Sequence, residues 1–309
     1  MRFLEAIVAE SLAKLYEGGI WGVRDISFQA SYGEITVLLG PNGAGKTTTI
    51  NMLATLIEPT SGRGYVSGYD VVREARMVRR VIALMPQGGS PDPNWTPYEA
   101  VKWYLVARGL SISTAERETR RWLEELGMWD LRSRTCWTLS GGQRRRVLAA
   151  MVLATEAQVI FLDEPSSDLD VEGKYRVWGA VRRACSDGRA VIYTTHDMRE
   201  ASMLADKVVI ISGGRTLAIG RPRELIESLP FRYRIVVRNS GKSLPGFVSK
   251  IDMGGMSIAY YQTRSEALSS IEDSGVEEAS VEHVGLEDVY LYYVKLRGDL
   301  DEKVSSDPR

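Results

Sequence analysis

Cysteine is scarce in this sequence. There are two in 309 residues, Cys136 and Cys185, far apart and without a Cys-x-x-Cys spacing. That excludes a disulfide framework and suits a reducing compartment. Histidine is equally scarce, with His196 and His283 alone, and a four-ligand zinc site would need all four residues to converge without any of the paired spacings such sites use. Long apolar runs are missing as well. The longest is eight residues, Val147 to Ala154, against the roughly 20 that a membrane-spanning helix requires. The opening Met1-Arg2-Phe3-Leu4-Glu5-Ala6-Ile7 has no sustained apolar core of signal-peptide length, so export is not expected. Neither charge sign dominates: Lys+Arg 39 against Asp+Glu 40 leaves a net charge of -1, which argues against a general nucleic-acid binder. What is present, 44% hydrophobic and 26% charged residues, is the composition of a folded protein. The length allows one large domain, or an ordinary domain with a small one.

Short apolar runs alternate with longer helical patterns up to about Gly220, which predicts an α/β fold with a parallel sheet. Its strands are expected at Ile35 to Leu39, Ile82 to Met85, Val159 to Leu162, Ala190 to Thr194 and Lys207 to Ile211. Ala6 to Tyr16, Ser27 to Gln29 and Gly64 to Ser67 read as strands of an antiparallel part. Helices are expected at about 97–108 and 114–126, with a third opening at Ser140, as an insertion spanning roughly 88–157. Thr96-Pro97-Tyr98-Glu99 has a capping threonine, a first-turn proline and a reciprocating glutamate. Ser113/Glu116, Ser140/Gln143 and Asp197/Glu200 repeat that spacing.

After Pro222 the texture changes. A helix-like Arg223 to Ser228 leads into strands near 232–238, 247–251, 257–262 and 276–281, with a Gly/Ser/Pro-rich stretch at 239–246. Helices are expected near 265–272 and from Leu286 to Leu296. The expected division is therefore a first domain over 1–228, a small α+β domain over 229–296, and a charged, disordered tail over 297–309.

Between the strand ending at Leu39 and a helix-compatible run lies Gly40-Pro41-Asn42-Gly43-Ala44-Gly45-Lys46-Thr47. In this G-x-x-x-x-G-K-[ST] pattern glycines permit the tight turn and backbone N–H groups converge on phosphate oxygens. Lys46 reaches the terminal phosphates, the Thr47 hydroxyl can ligate Mg2+, and the helix start adds its positive dipole end. An acidic partner is expected at the C-terminal end of a neighbouring buried strand, and Val159-Ile160-Phe161-Leu162-Asp163-Glu164 supplies it. Asp163 would hold Mg2+, and Glu164 would polarise the attacking water as general base.

Leu139-Ser140-Gly141-Gly142-Gln143, about 20 residues before Asp163, resembles the signature of ABC-type ATPases. With the phosphate loop, Gln87, the Asp163-Glu164 pair and His196 in order, the chain is similar to that family over about residues 2–228. The resemblance implies a P-loop NTPase cassette that binds and hydrolyses ATP with Mg2+, its parallel core sheet carrying an antiparallel β part and a helical insertion. Among the ATP-binding residues Asn42 to Thr48, it adds Thr48 to the loop. Tyr16 is implied as the aromatic that stacks on adenine, with strand packing as the alternative. Gln87, after Met85-Pro86, is implied to join Mg2+ and the attacking water to the insertion, and His196 to contact the γ-phosphate. Metal ligation thus falls to Thr47, Gln87 and Asp163.

The signature has a physical logic of its own, since a serine-headed helix start with two glycines lets an anion approach exposed N–H groups. The resemblance implies head-to-tail pairing with a second ATP-binding subunit, expected to be a homodimer. Leu139 to Gln143 of one copy would then close on ATP held by the other, next to the loop bearing Asp168 and Asp170. Asp168 departs from the small residue the family commonly has there, and a carboxylate near a cross-dimer phosphate would repel it unless solvated or paired with an arginine.

The chain also resembles stand-alone ATP-binding subunits of transporters, and its end, Gly285-Leu286-Glu287-Asp288-Val289-Tyr290-Leu291, resembles the extension of the daunorubicin-type drug-resistance exporter branch. This implies an integral membrane partner, a cytoplasmic position peripheral on the inner face of the cell membrane, and no nucleic-acid ligand. Pro91, Trp95, Tyr98, Trp103 and Tyr104 lie where the resemblance places the docking groove. At helical spacing such aromatics are more often core, and Trp95, ahead of the helix, is the better docking candidate. The arginine clusters Arg144–Arg146 and Arg76/Arg79/Arg80 read as solvated helix faces. The alternative function is a soluble ABC-type ATPase acting on ribosomes or nucleic acid. The paired cassettes or long coiled coil of such relatives are not seen.

Overall fold

The computed structural model describes residues 5–238, 244–276 and 279–296. The expected tail over 297–309 and part of the stretch at 239–246 therefore lie outside the described residues. Contacts divide the chain into two units, Met1–Ile219 and Gly220–Arg309, close to the change of texture at Pro222.

The first unit opens with β1 (Glu5–Tyr16), β2 (Ile20–Ser31), β3 (Ile35–Leu39) and α1 (Lys46–Leu53). β4 (Ser61–Val66), β5 (Tyr69–Asp70), α2 (Ala75–Val81) and β6 (Ile82–Met85) follow. Three helices, α3 (Pro97–Ala107), α4 (Ile112–Glu125) and α5 (Gly141–Leu153), form the insertion before β7 (Val159–Asp163). The unit closes with α6 (Val171–Ser186), β8 (Ala190–Thr195), α7 (Met198–Leu204), β9 (Lys207–Ser212) and β10 (Arg215–Gly220). The strands form one sheet in the order β5-β4-β1-β2-β10-β9-β3-β8-β7-β6. β3 pairs in parallel with β8 and β9, and β7 with β6 and β8, whereas β1 is antiparallel to β2 and β4. Every residue of β3, β7 and β8 is buried, as expected of parallel strands covered on both faces. Their C-terminal ends, with Gln87 two residues beyond β6, lie at the edge where ligands of parallel sheets bind.

β2 is far longer than the expected Ser27 to Gln29. Its register against β1 shifts at several bulges, one at Ser11 with φ +47, so its side chains change face and the period-two pattern is lost. β10 and the short β5 had no clear strand pattern. α4 is capped by Ser111, whose hydroxyl accepts from Thr114 N at 3.2 Å, two residues ahead of the expected Ser113. Glu116, freed from any capping role, pairs with Lys102 at 2.6 Å. The capping boxes at Thr96/Glu99 and Ser140/Gln143 are both formed.

In the second unit α8 (Pro222–Glu227) precedes β11 (Tyr233–Arg238), β12 (Ser249–Met253), β13 (Met256–Tyr261), α9 (Arg264–Ser274), β14 (Val281–His283) and α10 (Leu286–Leu291). The four strands form an antiparallel sheet ordered β12-β13-β11-β14, and Ala267 of α9 joins Ile235, Val237, Ala259 and Tyr261 in its core. The last strand lies later than the expected 276–281, because Val281 is the residue in register with Ile235 while Val276 and Ala279 pack on the core as side chains. The expected closing helix changes to a π-helical turn over Tyr292–Leu296. Asp288, fully buried, accepts from Arg234 at 3.0 Å and from Tyr260 OH at 3.1 Å, which ties α10 to the sheet.

Candidate functional site

The glycine-rich loop runs from the end of β3, the central parallel strand, into α1. At Gly45 φ is +105 and a Cβ would stand 2.7 Å from Gly22 O, so only glycine fits. Gly45 is also the N-cap and brings no side chain. The first-turn N–H groups of α1 thus have neither an intrahelical nor a capping acceptor and face a cleft of about 250 Å³. Asn42, Gly43, Gly45, Lys46, Thr47 and Thr48 line it, together with Gln87 and Glu164. Ala44 is buried, its N–H bonded to Pro41 O at 3.2 Å. Tyr16 stands half-exposed at the rim, its hydroxyl 3.3 Å from Thr48 Oγ1, and a Cβ on Gly22 would meet its ring edge at 2.5 Å.

Four elements bring polar groups to this cleft. Lys46 Nζ donates to Gly40 O at 2.8 Å and Pro41 O at 3.0 Å, and lies 3.6 Å from Glu164 Oε1. Burial lowers its pKa, against which the neighbouring Glu164 and Asp163 carboxylates pull it up. Thr47 Oγ1 donates to Gln87 Oε1 at 3.3 Å, and Gln87 Nε2 donates to Glu164 Oε2 at 3.4 Å. Glu164 can only accept, so it fixes which way the Gln87 amide points. His196 Nδ1, just past β8, is 3.2 Å from Glu164 Oε1. Asp163, 1% exposed at the end of β7, accepts from Thr194 Oγ1 at 2.5 Å, and the same hydroxyl accepts from Glu164 N at 2.9 Å. Glu164 adopts φ +50, a left-handed conformation rare outside glycine. Lys46, Thr47, Gln87, Glu164 and His196, separated by up to 150 positions, therefore form one bonded set beside Asp163.

Leu139, Ser140, Gly141, Gly142 and Gln143 are not among the residues lining the cleft. Ser140 caps α5, with Gln143 N to Ser140 Oγ at 3.2 Å and Ser140 N to Gln143 Oε1 at 2.9 Å. Gly141 is exposed with open space where a Cβ would stand, whereas a Cβ on Gly142 would press Leu169 at 3.2 Å. Asp170 caps α6 through Gly173 N at 2.8 Å. Asp168 is exposed at φ +62, a conformation Asp tolerates better than most residues, and attracts the Arg145 guanidinium.

Arg144–Arg146 do not form a solvated face. All three are half-buried and donate to backbone carbonyls: Arg144 to Leu139 O at 2.9 Å, Arg146 to Leu126 O at 3.1 Å, and Arg145 to those of Asp163, Glu164 and Pro165. Arg76, Arg79 and Arg80 are exposed as expected. Of the aromatics, Trp95 and Trp103 are 40% and 43% exposed while Tyr98 and Tyr104 are half-buried. Trp137, which nothing in the local pattern singled out, is 76% exposed and its backbone N–H donates to Pro93 O at 2.8 Å, in the segment that carries Trp95.

Glu200 was expected to reciprocate the Asp197 cap. Asp197 does cap α7, accepting from Arg199 N at 2.9 Å and Glu200 N at 3.2 Å, but the Glu200 side chain turns inward. Only 2% exposed, it accepts from Ser166 Oγ, Trp178 Nε1, Tyr193 OH and Thr195 Oγ1, tying the segment after Glu164 to the one before His196. Glu200→Ala leaves four donors without their acceptor and should cost about 2–4 kcal/mol. For a unit of this size that is a Tm drop of roughly 5–15 °C. A melt within a degree or two of wild type would show that the carboxylate is not the tie.

The sequence profile of the ABC transporter family matches residues 23–167. The daunorubicin resistance ATP-binding protein DrrA3 of Streptomyces coeruleorubidus is 33% identical over 309 residues, covering 95% of this chain and 96% of that protein. The phospholipid-transporting ATPase ABCA3 of Homo sapiens is 39% identical over 201 residues, or 64% of this chain, which spans 12% of that protein's length. A solved structure described as the ATP-binding subunit of an ABC transporter superposes with a TM-score of 0.65 at 26% identity, covering 72% of this chain and 92% of the other.

Proposed function

We propose, on the premise that this chain belongs to the ABC transporter family, a working cycle in which ATP closes two cassettes and hydrolysis parts them, driving export by a separate membrane subunit. The chain is an ATP-binding, ATP-hydrolysing subunit of an ABC transporter. The observation that carries the cycle is the bonded set around Glu164, in which one carboxylate meets Gln87, His196 and Lys46 at the mouth of the phosphate loop.

In this reading the loop N–H groups and Lys46 hold the phosphates, and Tyr16 stacks on adenine. The residues present fit Mg2+. Thr47 and Gln87 bring oxygens within 3.3 Å of each other, Asp163 adds a buried carboxylate, and such oxygen donors are what the ion takes. Thr47, Gln87 and Asp163 would hold Mg2+, which when bound would supply positive charge to offset that of the phosphates. Glu164 takes the proton of the attacking water, Gln87 orients that water, and His196 contacts the γ-phosphate while steadying Glu164. Ser140 and Gly142 of a second copy close over the γ-phosphate, with Asp168 and Asp170 beside the junction. Gly141, exposed and with open space where a Cβ would stand, supports a surface made to be approached.

Among the described residues no helix is long and apolar enough to cross a membrane. We place the chain on the cytoplasmic, inner face of the cell membrane, with Trp95, Trp103 and Trp137 as the anchors for the membrane subunit. The full-length similarity to a drug-resistance protein supports an exporter, with residues 1–228 as the cassette and 229–296 as the branch's own small domain. No observation favours the ribosome or nucleic-acid alternative. The test is capture of the tagged chain from detergent-solubilised membranes with ATP trapped. An integral membrane protein should co-purify, and the triple change Trp95→Ala, Trp103→Ala, Trp137→Ala should lose it while retaining ATP binding. Recovery with ribosomes or nucleic acid instead overturns the reading.

A further inference from the structure

The run Arg144-Arg145-Arg146 follows the signature directly, and the cycle above gives it no task. Its middle member is distinctive. The Arg145 guanidinium donates to three consecutive carbonyls, those of Asp163 at 3.2 Å, of Glu164, and of Pro165 at 3.3 Å. These are the carbonyls of the turn in which Glu164 is held at φ +50. A non-glycine residue stays in that conformation only when its surroundings over-determine it. A cationic fork with several fixed donors is well suited to do so. A lysine, with one compact ammonium, cannot span the three oxygens in the same way.

The other end of α5 matters equally. Ser140 heads the helix and Gly142 in its first turn abuts Leu169, so the helix start is seated against the loop that leaves Glu164. Arg145 lies five positions after Ser140, about 7.5 Å along a rigid rod at 1.5 Å per residue. Arg144 and Arg146 fasten the same rod to Leu139 O and Leu126 O. A displacement of the Ser140 end therefore reaches the Glu164 turn through a charged, multiply bonded link.

We infer that Arg145 is a positioning residue that couples what binds at the Ser140 end of α5 to the geometry of Glu164 in the same chain. Because Ser140 is read as serving the nucleotide of the second copy and Glu164 as serving this copy's own, Arg145 makes hydrolysis at one site answer to ATP at the other. This rests on the paired-copy reading.

The test uses the full chain with Mg-ATP and two variants, Arg145→Ala and Arg145→Lys. The lysine variant keeps a cation and a long stem, so it guards against simple loss of folding. ATP affinity, read by titration of a fluorescent ATP analogue, should stay within about twofold, since the bonds of Arg145 go to the turn at Glu164 and not to the phosphate loop from Gly40 to Thr47. Turnover should fall by roughly 10- to 100-fold, the scale expected when a reacting group is misplaced by about an ångström. The dependence of rate on ATP should change from sigmoidal in the wild type to hyperbolic in both variants. A merely structural role would lower the rate and leave the sigmoid. Cooperative turnover retained in either folded variant overturns the inference. Wild-type protein that never pairs with ATP overturns the paired-copy reading itself, a separate outcome visible by size-exclusion chromatography before any variant is made.

Discussion

Glu164→Gln should stop turnover and leave ATP binding intact. Glutamine has nearly the same shape, and the site can hold it in place. With its oxygen toward Gln87 Nε2 and its amide nitrogen toward His196 Nδ1, both bonds of the wild-type carboxylate, at 3.4 and 3.2 Å, have a counterpart. What is lost is basicity. A general base contributes about 10²–10⁴-fold to rate, so kcat should fall by that factor in a steady-state phosphate-release assay. The change also removes the negative charge 3.6 Å from Lys46 Nζ, which leaves the lysine freer for phosphate. ATP affinity should therefore be retained or slightly improved. Since the γ-phosphate is no longer removed, the ATP-bound pair of copies should accumulate and run as a dimer on size exclusion, whereas wild type returns to monomer as ATP is consumed. A rate like that of wild type would take the role of base away from Glu164.

The parts of the site that could be read in the sequence are those whose chemistry is local. The phosphate loop needs eight consecutive residues, and the Asp163-Glu164 pair is announced by the apolar strand that carries it. The capping boxes at Thr96 and Ser140 close within four residues, so their spacing was sufficient. What could not be read depends on partners far along the chain. Ser113 has the capping-box spacing to Glu116, yet Ser111 caps the helix and Glu116 goes to Lys102, 14 positions earlier. Bulges between β1 and β2 shift side chains from one face to the other and hide a 12-residue strand from any test of alternation. Three arginines on a helix resemble a solvated face until the carbonyls they bond are in view, those of Arg145 and Arg146 lying some 20 residues away. Glu200 fits the capping pattern, yet four donors from three elements claim its carboxylate. In the last two cases a tertiary hydrogen bond to a buried group outweighs a local preference, as the cost of leaving such a group unpaired requires.

Lys46→Ala should weaken ATP binding by roughly 10- to 100-fold, the range that follows from about 1.5–3 kcal/mol for hydrogen bonds to a charged group at 1.4 kcal/mol per tenfold. Two effects set where in that range the result falls. In the free cleft Lys46 already bonds Gly40 O and Pro41 O and faces Glu164, so reaching a phosphate exchanges these partners and its net contribution is smaller than the gross attraction. Against this, alanine leaves Glu164 without its nearest cation, and its carboxylate then repels the incoming γ-phosphate across the cleft. The second effect is specific to the triphosphate. Loss of affinity should therefore be greater for ATP than for ADP, and adding Glu164→Gln to Lys46→Ala should recover part of the ATP loss while recovering little for ADP. Calorimetric titration of the wild type, the two single variants and the double variant with both nucleotides measures each term. Equal and unchanged affinities across that set would mean that the nucleotide binds somewhere other than the loop from Gly40 to Thr47.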